Sequence, residues 1–258
     1  MKHNFKKKYG QNFLQNDLIL DKISDSFNVS KDSIIVEVGA GSGVLTKRLI
    51  TKNVPVISFE IDESLKVYLD KLQSDNLTIV YKDFLSIQLN QYLKDYKSIY
   101  FVANVPYYIT TPIINKFIEE NIVPDVMVMM VQKEVAERLS ASVGTSDYGA
   151  ISAILNYFYV IEYLFTVSRD DFYPVPNVDS AVIKFTKRKE LLELKDFNIY
   201  KKLINDAFKY KRKNLNNNLK GYDLNLINEV LKKYNLDLQK RAEDVPYYVF
   251  LEISNKLN

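Results

Sequence analysis

The segment Glu37–Gly43, EVGAGSG, places glycines at 39, 41 and 43, after a β-rich run and before the helical stretch GVLTKRLI. A glycine turn between strand and helix lets the backbone approach a nucleotide-like ligand with no side chain in between. The dinucleotide fingerprint requires glycine at its first, third and sixth positions, and the sixth residue from Gly39 is Val44, so this loop is of another kind. The next β-rich run ends at Glu60, 21 residues after Gly39, where a carboxylate can accept hydrogen bonds from a ribose diol. The third run is followed by Asp83 and Phe84, suited to an adenine amino group and an adenine face. Each feature alone has a plainer explanation, as a solvated strand end or a helix cap. Their recurrence after three successive strands is what points to a ligand.

Together these features resemble a class I S-adenosylmethionine methyltransferase. After the fourth β-rich run stands Asn104–Tyr108, NVPYY. An amide, a turn fixed by Pro106 and the ring of Tyr107 suit an exocyclic amine on a planar base. Adenine N6 is a poor nucleophile because its lone pair is delocalised into the ring. If the Asn104 side-chain oxygen and a backbone carbonyl accept its two N–H bonds, the lone pair can turn toward a sulfonium methyl. Stacking on Tyr107 would hold the base, an effect typically worth roughly 1 to 3 kcal/mol. No general base is needed, because the methylated amine is strongly acidic and loses its proton to water. The gain comes from orientation and from carbonyl dipoles facing a nitrogen that becomes positive.

Composition narrows the field. The chain has 258 residues, 47% hydrophobic and 26% charged, as expected of a globular protein with a core. With no cysteine, disulfides, thiolate metal sites and cysteine nucleophiles are excluded, and with His3 the single histidine, triads and histidine metal sites are excluded too. No metal is expected. The densest apolar stretch, Val126 to Val131, is strand-sized, and the basic N-terminus lacks an apolar export segment. A cytoplasmic protein without membrane contact is the expectation. Net charge is +3, but Lys2, Lys6, Lys7 and Lys8 precede the first acid, Asp17, and the window 201–220 carries seven cations against Asp206 alone. Such runs are often only solvated faces, and charge by itself does not decide for nucleic acid.

The elements that must position these residues follow from patterning. SIIVEV, VPVISF, LTIVY, SIYFVA and DVMVMMV alternate with segments of helical period, the βαβ pattern of a parallel sheet. The stretch from Asp62 aligns Leu65, Leu69 and Leu72, and the stretch after Thr111 aligns Ile113, Ile114, Phe117 and Ile118, so both are expected to be amphipathic helices. Thr111 is expected to cap the second, with Pro112 at its first position. Two more β-like stretches, Val160 to Val167 and Ala181 to Thr186, are joined by DDFYPVPNVDS as an antiparallel excursion. From Leu191 the composition turns to leucine, lysine and asparagine at helical spacing. The expected architecture is a Rossmann-like, mostly parallel α/β sheet over 1–188, with a basic N-terminal arm, and a small all-helical domain over 189–258.

Seven segments carry a closer resemblance: KKYGQNFL at Lys7–Leu14, EVGAGSG, NVPYYITTPI, MVQKEVAERL at Met130–Leu139, GTSDYGAIS at Gly144–Ser152, FYPVPNVDSAV at Phe172–Val182, and KRKNLNNNLK in the tail. Nearly the whole chain resembles the KsgA/RsmA ribosomal RNA adenine dimethyltransferases. That family converts two adjacent adenosines near the 3′ end of 16S ribosomal RNA to N6,N6-dimethyladenosine and serves small-subunit biogenesis. The resemblance implies S-adenosylmethionine as donor, S-adenosylhomocysteine as product, and a monomer acting on 16S RNA in the small subunit or its precursor. It implies donor contacts from Gln11, Asn12, Leu14, Gly39, Gly41, Glu60, Ile61, Asp83, Phe84 and Asn104, with catalysis by Asn104, Pro106, Tyr107 and Phe172. Tyr107 and Phe172 would sandwich a flipped adenine, offsetting the few kcal/mol of unstacking. RNA contacts are expected from Lys6, Lys7, Lys8, Lys133, Arg138, Lys211, Arg212 and Lys213, while Val135 and Leu139 face inward. Two departures stand out: Val105 where the family usually has leucine, and Asn214 where threonine is commoner. An Erm-type enzyme acting on large-subunit RNA shares the glycine loop and the Asn-Pro-Tyr motif; MVQKEVAERL, FYPVPNVDSAV and the helical tail favour the small subunit. A ribosome-assembly factor with secondary catalysis is the alternative from another class.

Overall fold

The computed structural model describes residues 12–258. Gln11, Lys6, Lys7 and Lys8 lie outside the described residues, as does most of KKYGQNFL. The strands are β1 (Phe13–Leu14), β2 (Ser33–Val38), β3 (Val56–Glu60), β4 (Leu77–Tyr81), β5 (Ser98–Asn104), β6 (Val126–Gln132), β7 (Tyr159–Val167), β8 (Phe172–Tyr173) and β9 (Ser180–Lys187). Seven of them form one sheet in the order β4-β3-β2-β5-β6-β9-β7. The strands from β4 to β6 are parallel, and β9 returns antiparallel to β6. β2 and β3 are buried along their whole length, which is why they read as unbroken apolar runs rather than as alternation. The antiparallel excursion contains an element too short to see in sequence. β8 pairs with β1, matching Leu14 with Phe172 and Phe13 with Tyr173.

Register levels the carboxyl ends of the strands. Val38 lies beside Phe59 and Ala103, and one residue further on Glu60 pairs with Tyr81 and Asn104 with Met130. Gly39, Glu60 and Asn104 therefore emerge at one edge of the sheet, where open α/β folds place their ligands.

Helices cover the faces. α1 (Asp17–Asp25) starts at Asn16, whose side chain accepts from the Leu18 amide at 3.1 Å and donates to Asp171 at 2.8 Å. α2 (Thr46–Leu49) follows the glycine loop. The stretch from Asp62 is shorter than expected: a 3₁₀ turn, Glu63–Leu65, leads into α3 (Lys66–Leu69), and Leu72 lies beyond it. Asp62 accepts from the Ser64 amide and so tightens the start into a 3₁₀ turn. α4 (Asn90–Leu93) precedes β5. α5 (Thr110–Glu119) begins before Thr111, so Thr111 lies inside the helix and makes no cap. The cause is the 3₁₀ turn Tyr107–Ile109, which nucleates the helix early; Pro112 then falls within the first turn, where its missing N–H still leaves no bond unmade. Phe59, Phe84, Phe101 and Phe117 pack edge-on or tilted beneath this layer, with ring centroids 4.9 to 6.0 Å apart. Each such buried ring contributes roughly 1.5 to 3 kcal/mol.

The described chain divides into two compact units, one running to Ala136 and taking in Glu162–Lys187, the other Glu137–Ile161 with Arg188–Asn258. In this division Glu137–Ile161 groups with the segment after Arg188. The second unit contains the end of α6 (Lys133–Leu139), from Glu137 on, then α7 (Ala150–Phe158), α8 (Phe197–Ala207), α9 (Leu215–Asn218), α10 (Leu224–Lys233) and α11 (Tyr247–Leu257). Its centre explains the grouping, since buried Tyr200 of α8 donates its hydroxyl to the Ala153 carbonyl of α7 at 3.2 Å. Asp196, Asn214 and Asp223 cap α8, α9 and α10 with side-chain oxygens. Asn214 thus does the work a threonine would do at that place. Among the described residues no helix is long and apolar enough to cross a membrane.

Candidate active site

A cavity of about 230 Å³ opens at the carboxyl edge of the sheet, within the first unit. Asn12, Leu14, Gly39, Gly41, Glu60, Ile61, Asp83, Phe84, Asn104, Pro106, Tyr107 and Phe172 all line it. One space therefore receives every described residue expected to hold the donor or the base.

The glycine loop can take its path only with glycine. Gly39 has φ +81°, and a Cβ there would stand 2.9 Å from the Asn104 carbonyl oxygen. Gly41, at φ +59°, would bring a Cβ to 3.1 Å from the ring of Phe13. Strand β1 thus stacks an aromatic ring directly on the loop, and the absence of side chains leaves the backbone facing the cavity.

Glu60 ties the loop to β3. One carboxylate oxygen accepts the Gly41 N–H and the other the Asp62 N–H, both at 2.8 Å. A carboxylate has about four acceptor positions, and with the Ile61 N–H also directed at this one, acceptor capacity remains for a ligand hydroxyl. Burial pushes the Glu60 carboxyl above its ordinary range, opposed by these amide bonds. Asp83 accepts from the Leu85 amide at 2.9 Å, so it does cap the 3₁₀ turn Phe84–Ser86 while facing the cavity. The ring of Phe84 lines the cavity while it packs into the core: it is 4% exposed and engaged with Phe59, Phe101 and Phe117.

Asn104 ends β5, and its side chain has no hydrogen-bond partner among the described residues. An amide aimed at such a cavity is available to a ligand. Tyr107 is fixed by a 2.7 Å hydrogen bond between its hydroxyl and that of Ser180, a residue wholly buried in β9. Burial pushes its phenol upward, keeping it neutral. Phe172 is buried beside Leu14 through the β1–β8 pairing.

Three residues here were not expected. Ser180 and Phe13 lie within segments that carry the resemblance, but nothing in either segment singles them out, since their roles depend on partners far away in the chain. Glu37 lies in the middle of the apolar strand β2, 1% exposed. One of its oxygens accepts from the hydroxyls of Thr46, at 2.7 Å, and Ser58, at 2.5 Å; the other has no partner among the described residues. Burial raises its pKa from 4.5 to about 7. It knots β2, β3 and α2 together immediately beneath the glycine loop. A lone glutamate in a strand of buried residues could have signalled this, because buried carboxylates need partners.

The cationic residues are at the surface. Lys133 and Arg138 are exposed on α6, with Leu139 buried and Val135 half-buried as expected; Lys211, Arg212 and Lys213 are exposed before α9. Among the described residues no group of three or more histidines, cysteines or carboxylates is placed to hold a metal ion.

Comparison with known proteins agrees with this geometry. The profile of the family described as ribosomal RNA adenine dimethylase matches residues 2–258. The chain is 37% identical to the ribosomal RNA small subunit methyltransferase A of Bacillus cereus and that of Bacillus anthracis, over 98% of this chain and 91% of each relative. Among solved structures, a dimethyladenosine transferase from Plasmodium falciparum superposes with a TM-score of 0.75 at 26% identity, covering 93% of this chain and 95% of that one. The 23S rRNA methyltransferase ErmE superposes equally well, at 0.75 and 26%, covering 95% and 99%. The sheet order, the glycine loop and the Asn-Val-Pro-Tyr turn are those of a class I S-adenosylmethionine-dependent methyltransferase, and the chain belongs to the ribosomal RNA adenine dimethylase family.

Proposed function

We propose that this protein dimethylates N6 of two adjacent adenosines near the 3′ end of 16S ribosomal RNA, in the small subunit or its assembly precursor. The observation that carries the reading is the meeting, in one cavity, of the glycine loop and Glu60 with Asn104 and Tyr107. The loop, which a Cβ would fill, and the remaining acceptor capacity of Glu60 fit an adenosyl donor with a ribose diol. Asn12, Leu14, Ile61 and Asp83 complete that side. S-adenosylmethionine, when bound, supplies a methyl group on a sulfonium, a good leaving group.

The chain's own residues then have to present the amine. The Asn104 side-chain oxygen, Oδ1, accepts one N6 hydrogen, and a backbone carbonyl of the Asn104–Pro106 turn accepts the other. This draws the nitrogen lone pair out of the ring plane toward the methyl. Tyr107, pinned by Ser180, gives the base a rigid face, and Phe172 bounds it on the other side. The proton leaves to water after transfer, so no basic side chain is required. Lys133, Arg138, Lys211, Arg212 and Lys213 contact phosphates, which position without reading sequence. The protein works in the cytoplasm as a monomer.

A large-subunit target is the second reading, favoured by the equal structural likeness to ErmE. The 37% identity to small subunit methyltransferases weighs more. The test is transfer of labelled methyl from S-adenosylmethionine to undermethylated small subunits, with large subunits and naked RNA in parallel, followed by nucleoside analysis. Dimethyladenosine on small subunits alone is the expected result. Label on large-subunit RNA would move the assignment to that target, and tight subunit binding without label would leave an assembly factor.

A further inference from the structure

Tyr108 stands next to Tyr107, lines the same cavity, and is 67% exposed. No ring contact, ion pair or side-chain hydrogen bond holds it among the described residues. Its position is nevertheless fixed. It is the middle residue of the 3₁₀ turn Tyr107–Ile109, closed by the Ile109 N–H donating to the Pro106 carbonyl at 3.1 Å. A 3₁₀ turn has three residues per turn, so successive side chains point about 120° apart. With Tyr107 anchored on Ser180, the turn directs the second ring away from the interior, to the rim.

From this geometry we infer that Tyr108 is a substrate-positioning residue: its ring stacks on the base adjacent to the one in the cavity, on an unstacked purine strand. The inference rests on the functional reading above. A nucleotide extruded into the cavity leaves its covalent neighbour at the mouth, one nucleotide away, just as Tyr108 is one residue from Tyr107. A large apolar ring kept in water beside the cavity has its face free, and every base offers a face to stack on. With two adjacent adenosines as targets, the base waiting its turn lies on Tyr108 while its neighbour reacts, and the two exchange places without release of the RNA. Tyr108 therefore couples the two sites of modification.

The test compares wild type, Tyr108→Ala, Tyr108→Phe and Tyr108→Trp on undermethylated small subunits. It measures KM, kcat, donor affinity and the share of RNA carrying dimethyladenosine at one position or both. Loss of the ring is expected to raise KM for subunits about tenfold, at the lower end of base-stacking effects, with donor affinity unchanged. RNA modified at only one adenosine should accumulate in Tyr108→Ala at early times, and Tyr108→Phe and Tyr108→Trp should restore both KM and coupling. A Tyr108→Ala protein that melts normally and keeps wild-type KM and product distribution would overturn the inference, as would equal losses in Tyr108→Phe. Wild type without dimethyladenosine on small subunits would instead overturn the functional reading, and this inference with it.

Discussion

Glu37 offers a measurement that tests the interior of the site without any substrate. Its carboxyl is buried and has a pKa of about 7 in the folded protein, against an ordinary 4.5. Between those values the folded protein keeps a proton that the unfolded chain has released, so stability falls as pH rises through this window and the loss is complete above about pH 7. With roughly 1.4 kcal/mol for each pH unit of displacement, the loss between pH 5 and pH 9 is about 2.5 kcal/mol. The substitution Glu37→Gln removes the titration while keeping an oxygen that accepts from Thr46 and Ser58. Its new N–H₂ faces the side where the glutamate has no partner, a penalty on the order of 1 to 3 kcal/mol at every pH. The variant is therefore expected to be less stable than wild type at pH 5 and to gain about 2.5 kcal/mol on it by pH 9. Urea unfolding at intervals of one pH unit, read as the difference between the two proteins, cancels every other titrating group. A difference that stays constant across the range would refute the reasoning, because it would mean that Glu37 is ionised in the folded state throughout.

Three further outcomes are expected. Gly39→Ala places a Cβ 2.9 Å from the Asn104 carbonyl at a positive φ, and should cost at least 1 to 2 kcal/mol in stability and weaken donor binding, as calorimetry would show; unchanged donor affinity would mean that the loop does not form the cradle. Asn104→Ala removes a side chain without a partner among the described residues, so the melting temperature should hold while kcat falls about 100-fold or more; near-normal turnover would sink its amine-orienting role. Charge reversal at Lys211, Arg212 and Lys213, all exposed, should lower the slope of log affinity for small subunits against log salt by about 2 to 3; an unchanged slope would show that the patch is merely solvated.

How far the sequence reaches is set by the range of the interactions concerned. The five parallel strands are legible because strands buried on both faces must be apolar throughout, as β2 and β3 are. The glycine loop, Glu60 and Asn104 are legible because register places strand ends level, so residues just after successive strands share one edge. The start of α5 is misplaced by local competition: Thr111 and Pro112 have the chemistry of a cap, but the turn at Tyr107–Ile109 has already begun the helix. Phe84 shows both influences at once: it lines the cavity, and three phenylalanines from β3, β5 and α5 pack around its ring, which its residue type alone does not reveal. The β1–β8 pair is invisible because two residues carry no period. Ser180 and Glu37 matter only through partners that folding brings to them.

The short β1–β8 pair also orders events along the chain. The link that accompanies it, Asn16 to Asp171, spans 155 residues. Leu14 and Phe172 both line the cavity, so its wall does not exist until translation has passed β8. A contact of such separation forms late, after the loop it closes has surrendered its freedom. The nascent chain must build its central strands with no help from a ligand, since a small molecule stabilises only a state that can hold it. Binding capacity is then acquired only when β8 joins β1, which makes ligand binding a gauge of that long-range closure rather than of the strands alone.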